Sequence, residues 1–142
     1  MEIKSIDGTT LYKNDTVKSL KELLIEAARA QKNLARANLS GAELLSLTVK
    51  GSLRLLLSQA NLANANFSMA NLPDVDLSGA NLTNANFFGA KLVNANFSGA
   101  KLAGANFMKA DLTGADFRGA QMLNVDLSSC ITKGADMTGA IK

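Results

Sequence analysis

From Ala60 to Gly139 the apolar positions recur every five residues. The stretch divides without a gap into sixteen units, beginning ANLAN, ANFSM, ANLPD, VDLSG and ANLTN. The first position is Ala in thirteen units, Val at Val75 and Val125, and Cys at Cys130. The third is Leu in eight, Phe in five, Met at Met122 and Met137, and Thr at Thr132. The second is mostly Asn or Asp. A helix repeats its apolar face about every 3.6 residues and a strand about every 2. Apolar residues two apart, followed by a skip, predict instead a very short strand with two inward side chains and then a corner. Ten of the eleven glycines fall at the fifth position of a unit, where a tight turn calls for positive φ. Such units close on themselves only by stacking into coils, as solenoids do.

The N-terminal part departs from this rhythm. Leu34, Leu39, Leu44 and Val49 are central residues in one register, and Leu57 and Leu62 begin another. The step from Val49 to Leu57 is eight residues, which predicts an irregular corner around Lys50–Arg54, a bulge or a shortened turn. Cys130, Ile131 and Thr132 break the unit at the other end, and Ala140–Lys142 carries no capping helix. Residues 1–31 do not repeat. Ile3 and Ile6, then Leu11 and Tyr12, flank Asp7-Gly8, a hairpin turn signal. Ser19 with Glu22 matches a capping box, and Leu20, Leu23, Leu24, Ala27 and Ala30 follow at helical spacing. These features predict a small β-hairpin and a helix from Ser19 to about Gln31, lying over the first coil and covering its apolar end.

The pattern A-(N/D)-(L/F)-x-x resembles the pentapeptide-repeat family over residues 32–51 and 55–142. The resemblance implies an all-β solenoid, a right-handed quadrilateral β-helix with four units per coil. Third-position Leu and Phe would then point to the axis, with the small first-position Ala beside them. Sixteen units make four coils, a rod of roughly 20 Å at a strand spacing of about 4.8 Å. The expected organisation is a hairpin and capping helix over 1–31 and a β-helix over 32–142, irregular near 50–54.

Composition narrows the function. The 142 residues fit one domain, and 47% hydrophobic residues suffice for a packed core. Aromatics are 5% with no Trp, so that core consists of Leu, Ala and a few Phe. No apolar run has the length of a membrane helix, and MEIKSIDGTT lacks the pattern of a secretory signal, so no membrane association is expected. Cys130 is the only cysteine, so no internal disulfide forms, and a cytoplasmic location is the expectation. The net charge of +3 arises entirely in residues 1–59, with nine Lys/Arg against six Asp/Glu; residues 60–142 hold six of each. A neutral repeat region lacks the clustered cations of a nucleic-acid footprint, and no direct nucleic-acid binding is expected.

Candidate chemistry is sparse. The chain has no histidine, which removes Ser-His-Asp and Cys-His catalysis and the commonest metal ligand. Cys130, at an inward first position, reads as a core thiol. No phosphate-binding glycine motif occurs. No catalytic residue, cofactor or metal is expected. With four units per coil, residues twenty apart stack. Asp76, Asn96, Asp116 and Asp136 then form one column, either an acidic stripe or a solvated Asn/Asp ladder neighboured by Arg118. Parallel outward side chains of this kind do not converge on an ion. Ser68, Phe88, Met108 and Ser128 form an outward fourth-position column, with Met69 and Leu123 near it. An exposed Phe over a Met marks an interaction patch.

These features point to a non-enzymatic scaffold that presents a flat-sided rod to a protein partner the sequence does not identify. The resemblance supplies an alternative. Some pentapeptide-repeat proteins look like B-form DNA and bind DNA gyrase, protecting it from quinolones. They do so through an acidic surface, and the neutral repeat region here disfavours that role. A homodimer is expected, either end to end through residues 125–142 or through the Phe88/Met108 patch.

Overall fold

The computed structural model describes residues 1–142. Strands β1 (Glu2–Lys4) and β2 (Thr10–Lys13) pair antiparallel, with Ile3 opposite Tyr12. Between them the Asp7 carboxylate accepts the Ser5 hydroxyl and, at 3.1 Å, the Thr9 amide. Helix α1 (Leu20–Arg29) starts where the Ser19 Oγ accepts the Glu22 N–H at 3.2 Å. Glu22 Oε2 reaches back to the Lys18 N–H at 2.8 Å, one residue before the usual capping-box target. The helix stops at Ala30 because Gln31 takes φ +49. The Gln31 and Lys32 amides then bond to the Ala28 and Ala27 carbonyls, which is a Schellman ending. Gln31 thus serves both as the helix stop and as the first of the repeating corner residues.

Beyond the helix the chain is a β-helical solenoid. Single parallel bridges link second positions twenty residues apart, from Leu56↔Asp76 to Gln121↔Ile141, at every unit but the one at Ala105. Twenty residues of five-residue units make four units per coil. A regular unit makes four backbone hydrogen bonds. The unit at Val75 shows them: Leu77 N–H to Asn96 O at 2.8 Å, Gly79 N–H to Ser98 O at 2.8 Å, Asp76 N–H to Leu55 O at 2.9 Å, and the turn bond Ala80 N–H to Leu77 O at 3.1 Å. Only the third residue of that turn has positive φ, the signature of a type II corner. From Gln59 to Gly139 every fifth position has positive φ except Ser129.

Taking faces in chain order, face 1 carries the units at Leu55, Val75, Ala95, Ala115 and Ala135, and faces 2, 3 and 4 follow. First and third positions point inward and form one core with Leu23, Leu24, Ala27 and Ala28 of the helix. Phe67, Phe87 and Phe107 of face 3 stack at 4.9 Å, as do Phe97 and Phe117 of face 1. The two stacks meet edge to face across the axis, at 5.5 Å for Phe97 and Phe107. Faces 2 and 4 fill the remaining width with Leu, as at Leu82 and Leu92. Strand β1 continues onto the first coil: Ser5 bridges Ala37, Ile6 N–H bonds to Arg36 O, and Asn38 N–H bonds to Lys4 O.

One sequence expectation is decided between its alternatives, the bulge over the shortened turn, and one is corrected. The corner near residues 50–54 is lengthened, not shortened. Asn33↔Leu56, Asn38↔Asn61, Glu43↔Asn66 and Thr48↔Asn71 are all 23 residues apart, three more than a regular coil. Leu47 and Val49 before the corner, and Leu55 and Leu57 after it, are buried at regular inward positions. Interior register is thus kept, and the surplus Ser52–Arg54 forms a bulge in which Ser52 and Arg54 are exposed, Leu53 is half-buried against the core, and Arg54 Nε donates to the Asp74 carbonyl at 2.9 Å. The correction concerns the break assigned to Cys130–Thr132. Ile131 bridges Asp111 normally, and Gly114 N–H bonds to Lys133 O. The interruption lies one unit earlier, at Val125–Ser129, where no bridge to Asn106 forms.

Candidate interaction surface

The preference for Asn or Asp at the second position has a local cause. Its Oδ1 accepts the backbone N–H two residues on, and a Ser or Thr there donates its hydroxyl as well. Asn96 with Ser98 (3.0 and 2.7 Å) and Asp111 with Thr113 (3.0 and 2.6 Å) show the arrangement. These Asx turns fix the chain's entry into each corner. Second-position amides also bond along the rod, Asn81 to Asn61 at 3.3 Å and Asn106 to Asn86 at 3.2 Å.

The column of Asp76, Asn96, Asp116 and Asp136 is built from the same parts. Asp76 accepts from the Ser78 amide and hydroxyl and from Asn96 Nδ2. Arg118 grips Asp116 through Nε and Nη2, the latter at 2.7 Å, and its Nε lies 3.8 Å from Asp136. Hydrogen bonding from Arg118 holds the Asp116 carboxyl below its ordinary pKa, and the Thr138 hydroxyl and amide do the same for Asp136. The carboxylates are committed to turns and to one guanidinium. No cluster of three or more His, Cys, Asp or Glu side chains is placed to hold a metal ion.

The apolar residues gather at the corner between faces 3 and 4. Met69 is 57% exposed and Met108 50%, while Phe88 between them is half-buried. One neighbour covers Phe88 and another its adjoining glycine. Lys109 Nζ sits 5.6 Å from its ring centroid, a cation over a π face. Met69 leans over Gly89, where an added Cβ would meet its Sδ at 2.7 Å. The corner is therefore a strip of sulfur and ring edge with one cation. Leu123, 59% exposed, lies on the corner between faces 2 and 3, across face 3 from the others. Sequence reasoning missed Leu45, 48% exposed, which occupies the same corner one coil earlier. It stacks 23 residues before Ser68, so counting by twenty passes over it.

Cys130 is half-buried; its Sγ lies 3.0 Å from the Phe107 carbonyl, and burial pushes the thiol pKa up. A thiol so placed is a poor nucleophile. In the same coil Val125, Leu127, Met137 and Ala140 are only partly buried, and Ile131 and Ile141 are exposed.

The sequence matches the family of pentapeptide repeats in eight copies, over residues 56–92, 80–119 and 90–128. The chain belongs to the pentapeptide-repeat family. No curated protein matches it. Among solved structures it is similar to a trypsin-treated form of QnrB1, a plasmid-mediated fluoroquinolone resistance protein. The two are 15% identical with a TM-score of 0.55 over 72% of this chain and 59% of that one, so the chain spans less than two thirds of QnrB1's length. A pentapeptide repeat protein from the Arabidopsis thaliana thylakoid lumen is 31% identical over 72% of this chain and 63% of that one, with a TM-score of 0.37. The QnrB1 likeness concerns the fold alone. No helix of this pentapeptide-repeat protein is long and apolar enough to cross a membrane.

Proposed function

We propose that this pentapeptide-repeat protein is a non-enzymatic scaffold, a right-handed quadrilateral β-helix under an N-terminal hairpin-and-helix cap, that binds another protein through the Met69/Phe88/Met108 corner. The observation that carries this reading is the exposure of two methionines on either side of a half-buried phenylalanine, at adjacent coils of a corner. At the matching places on the diagonally opposite corner, between faces 1 and 2, stand Ser78, Gly79, Ser98 and Gly99. Methionine and aromatic groups are what protein interfaces enrich. The experiment is affinity capture from the native cell with wild-type and Phe88→Asp baits of equal thermal stability. A partner lost with the variant supports the corner; a partner captured equally by both overturns it.

A homodimer is the companion reading, through residues 125–142 or through the same corner. Light scattering distinguishes the versions: a dimer that survives Phe88→Asp uses the terminal coil, and a monomer at high concentration refutes both. Gyrase binding by DNA mimicry is the alternative function. It requires many outward carboxylates to rival phosphates, whereas residues 60–142 carry six acidic and six basic side chains. Neither inhibition of gyrase supercoiling nor quinolone protection is expected, and either result would overturn the preference.

A further inference from the structure

Between the coils that follow Leu55 the ladder is complete on faces 1, 2 and 4 and fails at one place on face 3. One coil up, Phe87 N–H bonds to Asn106 O, Gly89 N–H to Met108 O, and Asn106 N–H to Ala85 O. The three equivalent bonds between Ala105–Lys109 and Val125–Ser129 are missing. Phe107 has no exposed surface, yet its backbone N–H has no acceptor, and the Ala105 carbonyl has no donor. A cavity of about 220 Å³ opens here, lined among others by Ala105, Asn106, Phe107, Asn124 and Asp126. Both ends of the gap are anchored, by Gly104 N–H to Leu123 O and Leu112 N–H to Ile131 O.

The sequence of the unit accounts for the gap. Ser129 is the one fifth-position residue from Gln59 onward without positive φ, so the corner does not return the strand to the ladder. Its Oγ instead takes the Lys109 amide at 3.1 Å, a bond that the Ser128 carbonyl would make in a regular coil. Cys130 Sγ meets the Phe107 carbonyl at 3.0 Å. Asp126 stands below Asn66, Asn86 and Asn106, each of which donates its amide to the residue above. An ionised carboxylate has no proton to continue that side-chain chain; Asp111, Asp116 and Asp136 keep their backbone bridges all the same, so the carboxylate only adds to what the Ser129 corner sets.

We propose that Val125–Ser129 is a strap with two positions, bowed outward as here and closed into the ladder, whose opening leaves the Ala105–Phe107 edge unpaired. Met108 follows directly, so the strap's position alters the apolar corner. An unpaired buried amide is satisfied by closure or by water. Residue-resolved amide hydrogen exchange tests this on the whole chain. Phe107 and Asp126 exchange at least about tenfold faster than Phe87 and Asn106, the factor that one ladder bond contributes. In Ser129→Gly/Asp126→Asn, which restores a residue at ease with positive φ and an amide donor, both slow to the rates one coil up, and thermal stability rises. Equal rates in the wild type would overturn the proposal, as would fast exchange persisting in the double variant.

Discussion

The rings of Phe87 and Phe107 lie parallel 4.9 Å apart, and Phe97 enters edge-on from the opposite face at 5.8 Å from Phe87. Each ring is fully buried. Phe87→Ala leaves a hole that rigid coils above and below cannot fill. A loss of about 3 to 5 kcal/mol is expected, read by urea denaturation. Phe87→Leu, which copies faces 2 and 4, costs less, because Leu keeps most of the buried volume.

The corners separate two kinds of glycine. Gly104 has φ +68, and a Cβ there would clash with Asn84 Oδ1. Gly119 has φ +65 with nothing within 4 Å. Gly104→Ala is expected to destabilise by about 1 kcal/mol or more, through left-handed strain and a broken contact. Gly119→Asn is close to neutral, since Asn already holds this conformation at Asn84 and Asn94. Melting temperatures of the two variants check the contrast.

Acid weakens the protein from its carboxylates. Hydrogen bonds from Ser5 and Thr9 hold Asp7 down to about 2. Asp111, Asp116 and Asp136 are also lowered, by Thr113, Arg118 and Thr138 respectively. A carboxyl depressed in the folded state contributes fully above its unfolded pKa, near 3.8 for Asp, and that contribution is lost as pH falls through the folded value. Stability is therefore flat above about pH 5 and declines from about pH 4 toward 2. Urea midpoints across that range measure it, and Asp7→Asn reduces the slope in the lowest part.

The three surplus residues of the first coil lie outside the repeating interior, with Leu53 packed against its edge. Deleting Ser52–Arg54 joins Gly51 directly to Leu55, fifth position to first, and turns the 23-residue offset into twenty. The expected product folds cooperatively and stays within about 1 kcal/mol of the parent, losing the Arg54 bond to Asp74 and gaining a regular corner. Circular dichroism during a thermal melt checks it; a non-cooperative melt would show that the bulge braces the cap.

The repeat was legible because one rule serves sixteen units: inward Ala and Leu or Phe, a capping Asn or Asp, and a corner that tolerates positive φ. Where the rule changed, the sequence located a disturbance without its sign. A step of eight residues is compatible with a short turn or a long one, and only the burial of both Leu47 and Leu55 decides for the long one. The seam at Val125–Ser129 was misplaced for a related reason. Cys130 and Thr132 look unlike the consensus yet keep the backbone path, whereas Ser129 looks ordinary and does not. Of the apolar corner, Phe88, Met108 and Met69 followed from twenty-residue stacking. Leu45 was hidden by the insertion, and Leu123 was placed too near because a linear reading does not separate adjacent corners.

The bonds between coils run along the rod, and each coil is tied only to the coils on either side. Tension applied between the two ends therefore meets no element that shares the load across the whole molecule. It peels the rod from an end, one turn after another. Each release of twenty residues lengthens the chain by roughly 70 Å at full extension. Drawn out by force, this protein is a tether that yields coil by coil, in steps of twenty residues and, at the first coil, twenty-three.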